Sequence, residues 1–193
     1  DTFFPDFDPE PVRSNPDHPG ARLIDAATGN LLFSFHSFII KTGHHTILID
    51  SCLGNDKERP TRPQFHRLRT PYIADLARIG VKIDDVDYVM CTHLHWDHVG
   101  WNTRLENGRW VPTFPKARYV MARREFSHWE EVHKNGEDSP HRLAFEDSVL
   151  PIVRATRRAP STWTAWKAPR RRSNRIPTRL TTTSAPWTAR TTE

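Results

Sequence analysis

Residues 91–101 read CTHLHWDHVGW and place His93, His95, Asp97 and His98 within six positions. His93 and His95 stand one residue apart at the end of a strand predicted for DYVMCT, residues 87–92, so strand alternation directs both imidazoles to one side. Asp97 and His98 follow where the chain must turn, and Gly100 lets the backbone return close to whatever the cluster holds. A rim of imidazole and carboxylate donors suits Zn²⁺, which accepts both and keeps three protein ligands plus a water when it is catalytic. The plainer alternative is a polar loop of exposed histidines, against which Trp96 and the apolar strand before the cluster argue for a packed segment. Cys91 alternates away from the histidine pair and reads as core.

The elements that must position this cluster are short. LLFSFHSFII and TILID, on either side of the turn KTGHH, are two strand candidates in hairpin arrangement, and Asp50 ends the second. TPYIADLARIG is a punctuated helix, with Thr70 as the expected cap, Pro71 at the first helical position and Gly80 closing it. ARYVMA is a further strand, followed by a helix over about 123–133. Hairpin, helix, strand and helix together indicate an α/β architecture. His36, His44 and His45 read as hairpin or surface histidines. The first twenty residues, rich in Pro and Asp, read as an irregular N-terminal arm, leaving residues 21–153 as the folded body.

The composition changes after Val153. Residues 155–193 hold nine of the 28 Lys and Arg and one of the 23 Asp and Glu, so this tail carries +8 while residues 1–154 carry −3. Residues 154–193 have no sustained period, four prolines and only Ile176 and Leu180 as aliphatics larger than Ala, which predicts a disordered basic tail. Nothing in the chain reads as a membrane span. Cys52 and Cys91 each follow an apolar run and suit buried thiols, which makes a cytoplasmic setting the default expectation.

THLHWDHVG resembles the HxHxDH signature of metallo-beta-lactamase-fold hydrolases, and ILIDSCLGNDKERP and FEDSVLPIV resemble the branch of quorum-quenching lactonases and organophosphate-hydrolase-like enzymes. The resemblance implies an αββα sandwich of which this chain holds the N-terminal half only, ending in the irregular basic tail. It implies two zinc ions, the first bound by His93 and His95 and the second by Asp97 and His98, sharing a hydroxide that attacks an ester or lactone carbonyl. Asp97 would also orient or receive the nucleophile's proton. Asp50 would lie beneath the histidine loop and fix a ligand by a hydrogen bond, the alternative being an ordinary strand-end aspartate. Trp101, Trp110 and Phe114 could line the pocket or equally anchor the loop.

Relatives of this kind continue into a second α/β half that supplies another zinc-binding histidine, a bridging aspartate and a final histidine. Here no histidine follows His141 and no aspartate follows Asp147. His128, His133 and His141 match none of these roles by motif, and His128 and His133 read as helix-surface residues. The expected activity is therefore that of an impaired or inactive zinc hydrolase acting on a small ester or lactone. Glyoxalase II-like thioester hydrolysis shares the same ligands and stays open. So does a non-catalytic fragment whose tail, with Arg170, Arg171, Arg172 and interspersed tryptophans, binds nucleic acid without specificity. Loss of the second half should uncover an apolar sheet face and favour self-association. The abrupt change near residue 154 resembles an out-of-frame reading of a GC-rich gene, which resequencing of the coding DNA would test.

Overall fold

The computed structural model describes residues 6–15, 17–25, 27–136, 139–156 and 163–166. The chain divides into two units, Asp1–Ser34 and Phe35–Glu193. In the first, helix α1 (Glu10–Arg13) starts beside Asp8, whose Oδ1 accepts from the Glu10 amide at 2.9 Å. Ile24 and Leu31 form an isolated antiparallel bridge around a turn held by Asp25, whose Oδ1 accepts from the amides of Ala27 and Thr28. Leu31 is used by that bridge, so the long strand expected over 31–40 is shortened and the irregular unit runs past residue 20 to Ser34.

The second unit begins with the hairpin β1 (Phe38–Lys41) and β2 (Thr46–Ile49), whose turn is tied by the Thr42 hydroxyl accepting from the His44 and His45 amides. Helix α2 (Tyr72–Arg78) follows. Its start differs from expectation: Pro71 is the cap residue, and Thr70 instead gives its amide and hydroxyl to Asn55 Oδ1 at 2.8 and 3.0 Å. Then come β3 (Tyr88–Met90), the short α3 (Trp96–Val99), β4 (Thr103–Glu106), β5 (Arg109–Pro112), β6 (Arg118–Ala122) and α4 (Arg123–Lys134). The β4–β5 hairpin lies in a stretch to which the sequence reading assigned no element. Its signal was Asn107–Gly108, both at positive φ (51° and 72°), as a two-residue type I′ turn requires.

The chain continues through α5 (Pro140–Ala144), a π-helical turn at Phe145–Val149 and α6 (Leu150–Thr156). Pro151 explains the π turn. It has no amide hydrogen to give the carbonyl four residues earlier, so the Asp147 oxygen accepts instead from Thr103 Oγ1 at 2.5 Å and Lys57 Nζ at 3.3 Å. A last strand, β7 (Trp163–Trp166), pairs in parallel with β6 and falls inside the stretch expected to be disordered. The ladder hydrogen bonds available along β6 give those four residues a partner that no sequence period announces. The remainder of the expected tail lies outside the described residues.

The five-stranded order is β1-β2-β3-β6-β7, with β2, β3 and β6 parallel. Across the sheet, Ile39, Leu48, Val89 and Tyr119 are in register and all buried. The neighbouring register row, Phe38, Ile49, Met90 and Val120, faces the other way, with Phe38 at 45% and Met90 at 36% exposure. This is an α/β unit with one covered face, spanning only part of the sandwich the sequence implied. Among the described residues no helix is long and apolar enough to cross a membrane.

Candidate metal centre

Parallel strands in register end on one edge, so the residues following β2, β3 and β6 are brought together. Asp50 leaves β2 in the left-handed region at φ 54°, a conformation costly for a non-glycine residue and held here by its own side chain. Its carboxylate accepts from the Thr92 amide and hydroxyl, both at 2.7 Å, and pairs with His98 Nδ1 at 2.9 Å. The Asp50 carboxylate thus lies beneath the histidine loop, fixing the imidazole two positions before Gly100.

Gly100 makes the next link. Its amide donates to the Cys52 carbonyl at 2.7 Å, the Ser51 amide donates to His98 O at 2.7 Å, and the Trp101 amide donates to Ser51 O at 2.8 Å. Such backbone contact leaves no room for a side chain, since a Cβ on Gly100 would sit 1.9 Å from the Leu53 oxygen. From the third strand's end comes Glu125, whose Oε2 accepts from the Leu94 amide at 3.1 Å and Trp129 Nε1 at 3.3 Å, pinning the residue between the two leading histidines to α4.

The four signature residues therefore cluster. The His93 ring lies 4.5 Å from that of His95 and 3.9 Å from that of His98, and His98 Nε2 is 3.4 Å from Asp97 Oδ2. Strand alternation is not the reason, because β3 ends at Met90 and His95 is the residue capping α3. The loop held by Asp50 and Glu125 is what places the pair. Cys91 is buried against Asn102, and burial pushes its thiol up to about 12. His44 and His45 lie at the opposite end of β2, where His45 Nδ1 is 3.8 Å from Asp87.

Charge follows this geometry. Burial opposes a proton on His98, but its hydrogen bonds to Asp50 and Asp97 outweigh that and carry it up to about 9. Burial, with His98 beside it, holds His93 below the usual imidazole range, and burial does the same to His95. His141 falls to about 4 through burial and the neighbouring His95. In the metal-free chain, NMR titration should find His98 still charged at pH 8 and His141 still neutral at pH 5. The raised His98 value contributes stability that is complete below about 6.5 and lost as pH rises through about 9. The lowered His141 value contributes stability present above about 6.5 and lost as pH falls towards 4. Both rings titrating near 6.5 would contradict this.

The three aromatics named from sequence do not form one wall. Trp101 stacks on Tyr72 at 5.1 Å and lines a cavity of about 120 Å³ with Cys52, Leu53 and Leu76. Phe114 is fully buried in the core, and Trp110 lies under Lys57, whose Nζ is 3.5 Å from the ring centroid.

Sequence reasoning left His141 without a role, yet its ring lies 4.1 Å from that of His95. It stands three and four residues before the buried Ala144 and Phe145, which places it on the inner side of its helix; that spacing was the available signal. His133 instead pairs with Glu146 at 3.2 Å, and His128 packs on Trp129.

Among the described residues no group of three or more His, Cys, Asp or Glu side chains is arranged to hold a metal ion. The chain presents two donor pairs, His93 with His95 and Asp97 with His98, where a catalytic zinc keeps three protein ligands. The described donors do not make a complete zinc site.

A sequence profile of the metallo-beta-lactamase superfamily matches residues 33–174, and the chain belongs to that superfamily. Among solved structures it is similar to a probable metal-dependent hydrolase from Staphylococcus aureus, with 25% identity and a TM-score of 0.50 over 65% of this chain and 43% of that one. The hydrolase AbOPH of the beta-lactamase superfamily gives 22% identity and a TM-score of 0.52 over 78% and 48%. The dizinc quorum-quenching lactonase AidC, bound to a homoserine product, gives 18% and 0.48 over 70% and 44%. The chain spans less than half the length of each of these proteins. No curated protein sequence matches it.

Proposed function

We propose that this chain carries the first half of a zinc-dependent hydrolase of small esters or lactones, with catalysis impaired by an incomplete donor set. The observation that carries the reading is the chain of contacts from Asp50 through His98 to Asp97. An imidazole whose Nδ1 is held by a carboxylate points Nε2 in a fixed direction, and would offer it to a metal once its Nε2 proton is displaced, which is how metal-binding histidines are oriented. When bound in such a site, zinc brings the pKa of a water towards 7 and so supplies hydroxide at neutral pH. The ester or lactone class rests on the sequence resemblance to lactonases and organophosphate-hydrolase-like enzymes, and Asp97 is the residue proposed to handle the nucleophile's proton.

The test is a zinc-supplemented assay of this chain beside a version extended with an in-frame second α/β half. Activity on an acyl-homoserine lactone should be near background in the first and clear in the second. In the extended version His95→Ala should abolish it and His44→Ala leave it intact, while Asp50→Ala should cost roughly the 10–100-fold typical of losing a ligand's hydrogen-bond partner. Equal robust activity in both versions would overturn the incomplete-site reading. Faster turnover of a glutathione thioester would move the protein to the glyoxalase II-like class. The open row Phe38, Ile49, Met90 and Val120 supports self-association of the chain as it stands, so sedimentation should show oligomers that the extended version lacks.

A further inference from the structure

We propose that the cavity between α2 and the start of β1 is a binding site for a small, neutral, single-ring aromatic molecule carrying one oxygen acceptor, of about the size of phenol. None of the four signature residues is among the described residues that line it, and the inference does not rest on the hydrolase reading. The volume is about 120 Å³. Protein interiors are close-packed, with few voids larger than a water molecule, and an apolar cavity of roughly 150 Å³ takes up benzene. A single ring is what a space of this order holds. The cavity also reaches the surface, because Arg78 lines it and is exposed, so entry requires no opening of the core.

The walls match the apolar body of such a ligand. Phe35, Ile39, Leu53, Leu76, Ile79 and Trp101 line the space. They are held in place by contacts of their own. Trp101 stacks on Tyr72 at 5.1 Å with 14° between the ring planes, and its amide donates to Ser51 O. Phe35 packs edge-on against Phe65 at 5.4 Å. Asn55 ties down the approach to α2, accepting from the Thr70 amide and hydroxyl and donating to the Thr70 carbonyl. Preformed apolar walls with a few placed polar groups are the usual make-up of a small-molecule pocket, and aromatic walls favour a flat ring in stacked or edge-to-face contact.

Three lining side chains supply the polar end. Ser37 Oγ lies 2.6 Å from Tyr72 Oη and 3.4 Å from Cys52 Sγ. Each of these groups carries one hydrogen and each of the two contacts uses one, so the cluster has one donor left over for a ligand oxygen. The charged pair on the lining does not select an ion, because Asp75 and Arg78 neutralise each other at 2.7 Å. Burial pushes the Cys52 thiol up to about 11 and raises the Tyr72 phenol well above its usual range, so these surroundings disfavour charge and suit a neutral molecule. An occupant would also touch Cys52 and Trp101, whose backbones belong to the crossing that fixes the loop at His98.

The test titrates the full chain with para-fluorophenol, followed by fluorine NMR and by the methyl resonances of the protein. Saturable binding of one molecule per chain is expected, with a Kd of about 1 mM or below. The shifts should centre on the methyls of Ile39, Leu53, Leu76 and Ile79. Fluorobenzene lacks the hydroxyl and should bind roughly 2- to 10-fold more weakly, the worth of one hydrogen bond. Ser37→Ala combined with Tyr72→Phe should remove that difference. Ile79→Trp, which fills the cavity from a half-buried wall position, should abolish binding of both probes, while His44→Ala leaves both bound as before. The methyl map uses the unaltered chain, so it decides the site whether or not the filled variant folds. No saturable binding, shifts centred on other methyls, fluorobenzene bound as tightly as the phenol, or undiminished binding in a folded Ile79→Trp chain would each overturn the proposal.

Discussion

Asp147→Ala should unfold the second unit. Asp147 faces two buried cations: Arg59 donates to it from both terminal nitrogens at 2.8 and 3.2 Å, and Lys57 Nζ lies 3.6 Å away. Lys57 and Arg59 are each 1% exposed. Burial pulls the Lys57 ammonium down to about 7, with Asp147 opposing the fall. Removing one partner of a buried ion pair costs about 3–5 kcal/mol, because the charge left behind stays desolvated. Here two cations are left, and the margin of a whole domain is only about 5–15 kcal/mol. Soluble yield and the urea midpoint should both collapse. Glu58→Ala provides the contrast, since the Glu58–Arg67 pair is exposed and such pairs are worth about 0–1 kcal/mol. An unchanged midpoint for Asp147→Ala would show that the network is not what joins the 57–59 loop to the π turn.

Gly100→Ala should be nearly as damaging, for a steric reason. The added carbon would stand 1.9 Å from the Leu53 oxygen and 2.4 Å from the Gly54 amide nitrogen, both backbone atoms that cannot rotate aside. The two loops would have to part, breaking the hydrogen bonds that join Ser51 to His98, Gly100 to Cys52 and Trp101 to Ser51. Overpacking usually costs about 1–3 kcal/mol, and a clash of backbone against backbone belongs at or above the top of that range. Gly80→Ala is the converse case: Gly100 lies at φ −57° and carries no left-handed penalty, whereas Gly80 has positive φ, 77°, with open space around its missing Cβ, so there only the left-handed penalty of roughly 1–2 kcal/mol applies. Thermal melts of both variants separate the two effects. A Gly100→Ala melt no lower than that of Gly80→Ala would refute the steric account. The same variant should also loosen His98 from Asp50.

The sequence by itself determined the α/β class, the strands at 46–49, 88–90 and 118–122, and the signature cluster. Each is carried by local information: runs of β-branched and apolar residues, or donor residues a few positions apart. It also determined that Asp50 ends a strand, and a carboxylate at the end of a parallel strand has few places to point. Tertiary structure alone decided what depends on residues far apart in the chain. His141 reaches His95 only because α5 folds back across α4, and nothing in the spacing of 46 positions encodes that. Lys57 and Arg59 look like surface charges in NDKERP, and become core residues because Pro151, more than ninety positions later, frees a carbonyl and Asp147 supplies a counter-charge. Thr70 was a sound cap by type, but Asn55 competed for it across the fold. The β7 strand was invisible for the same reason: its pairing uses backbone groups that every sequence has, and the edge of β6 is what selects them.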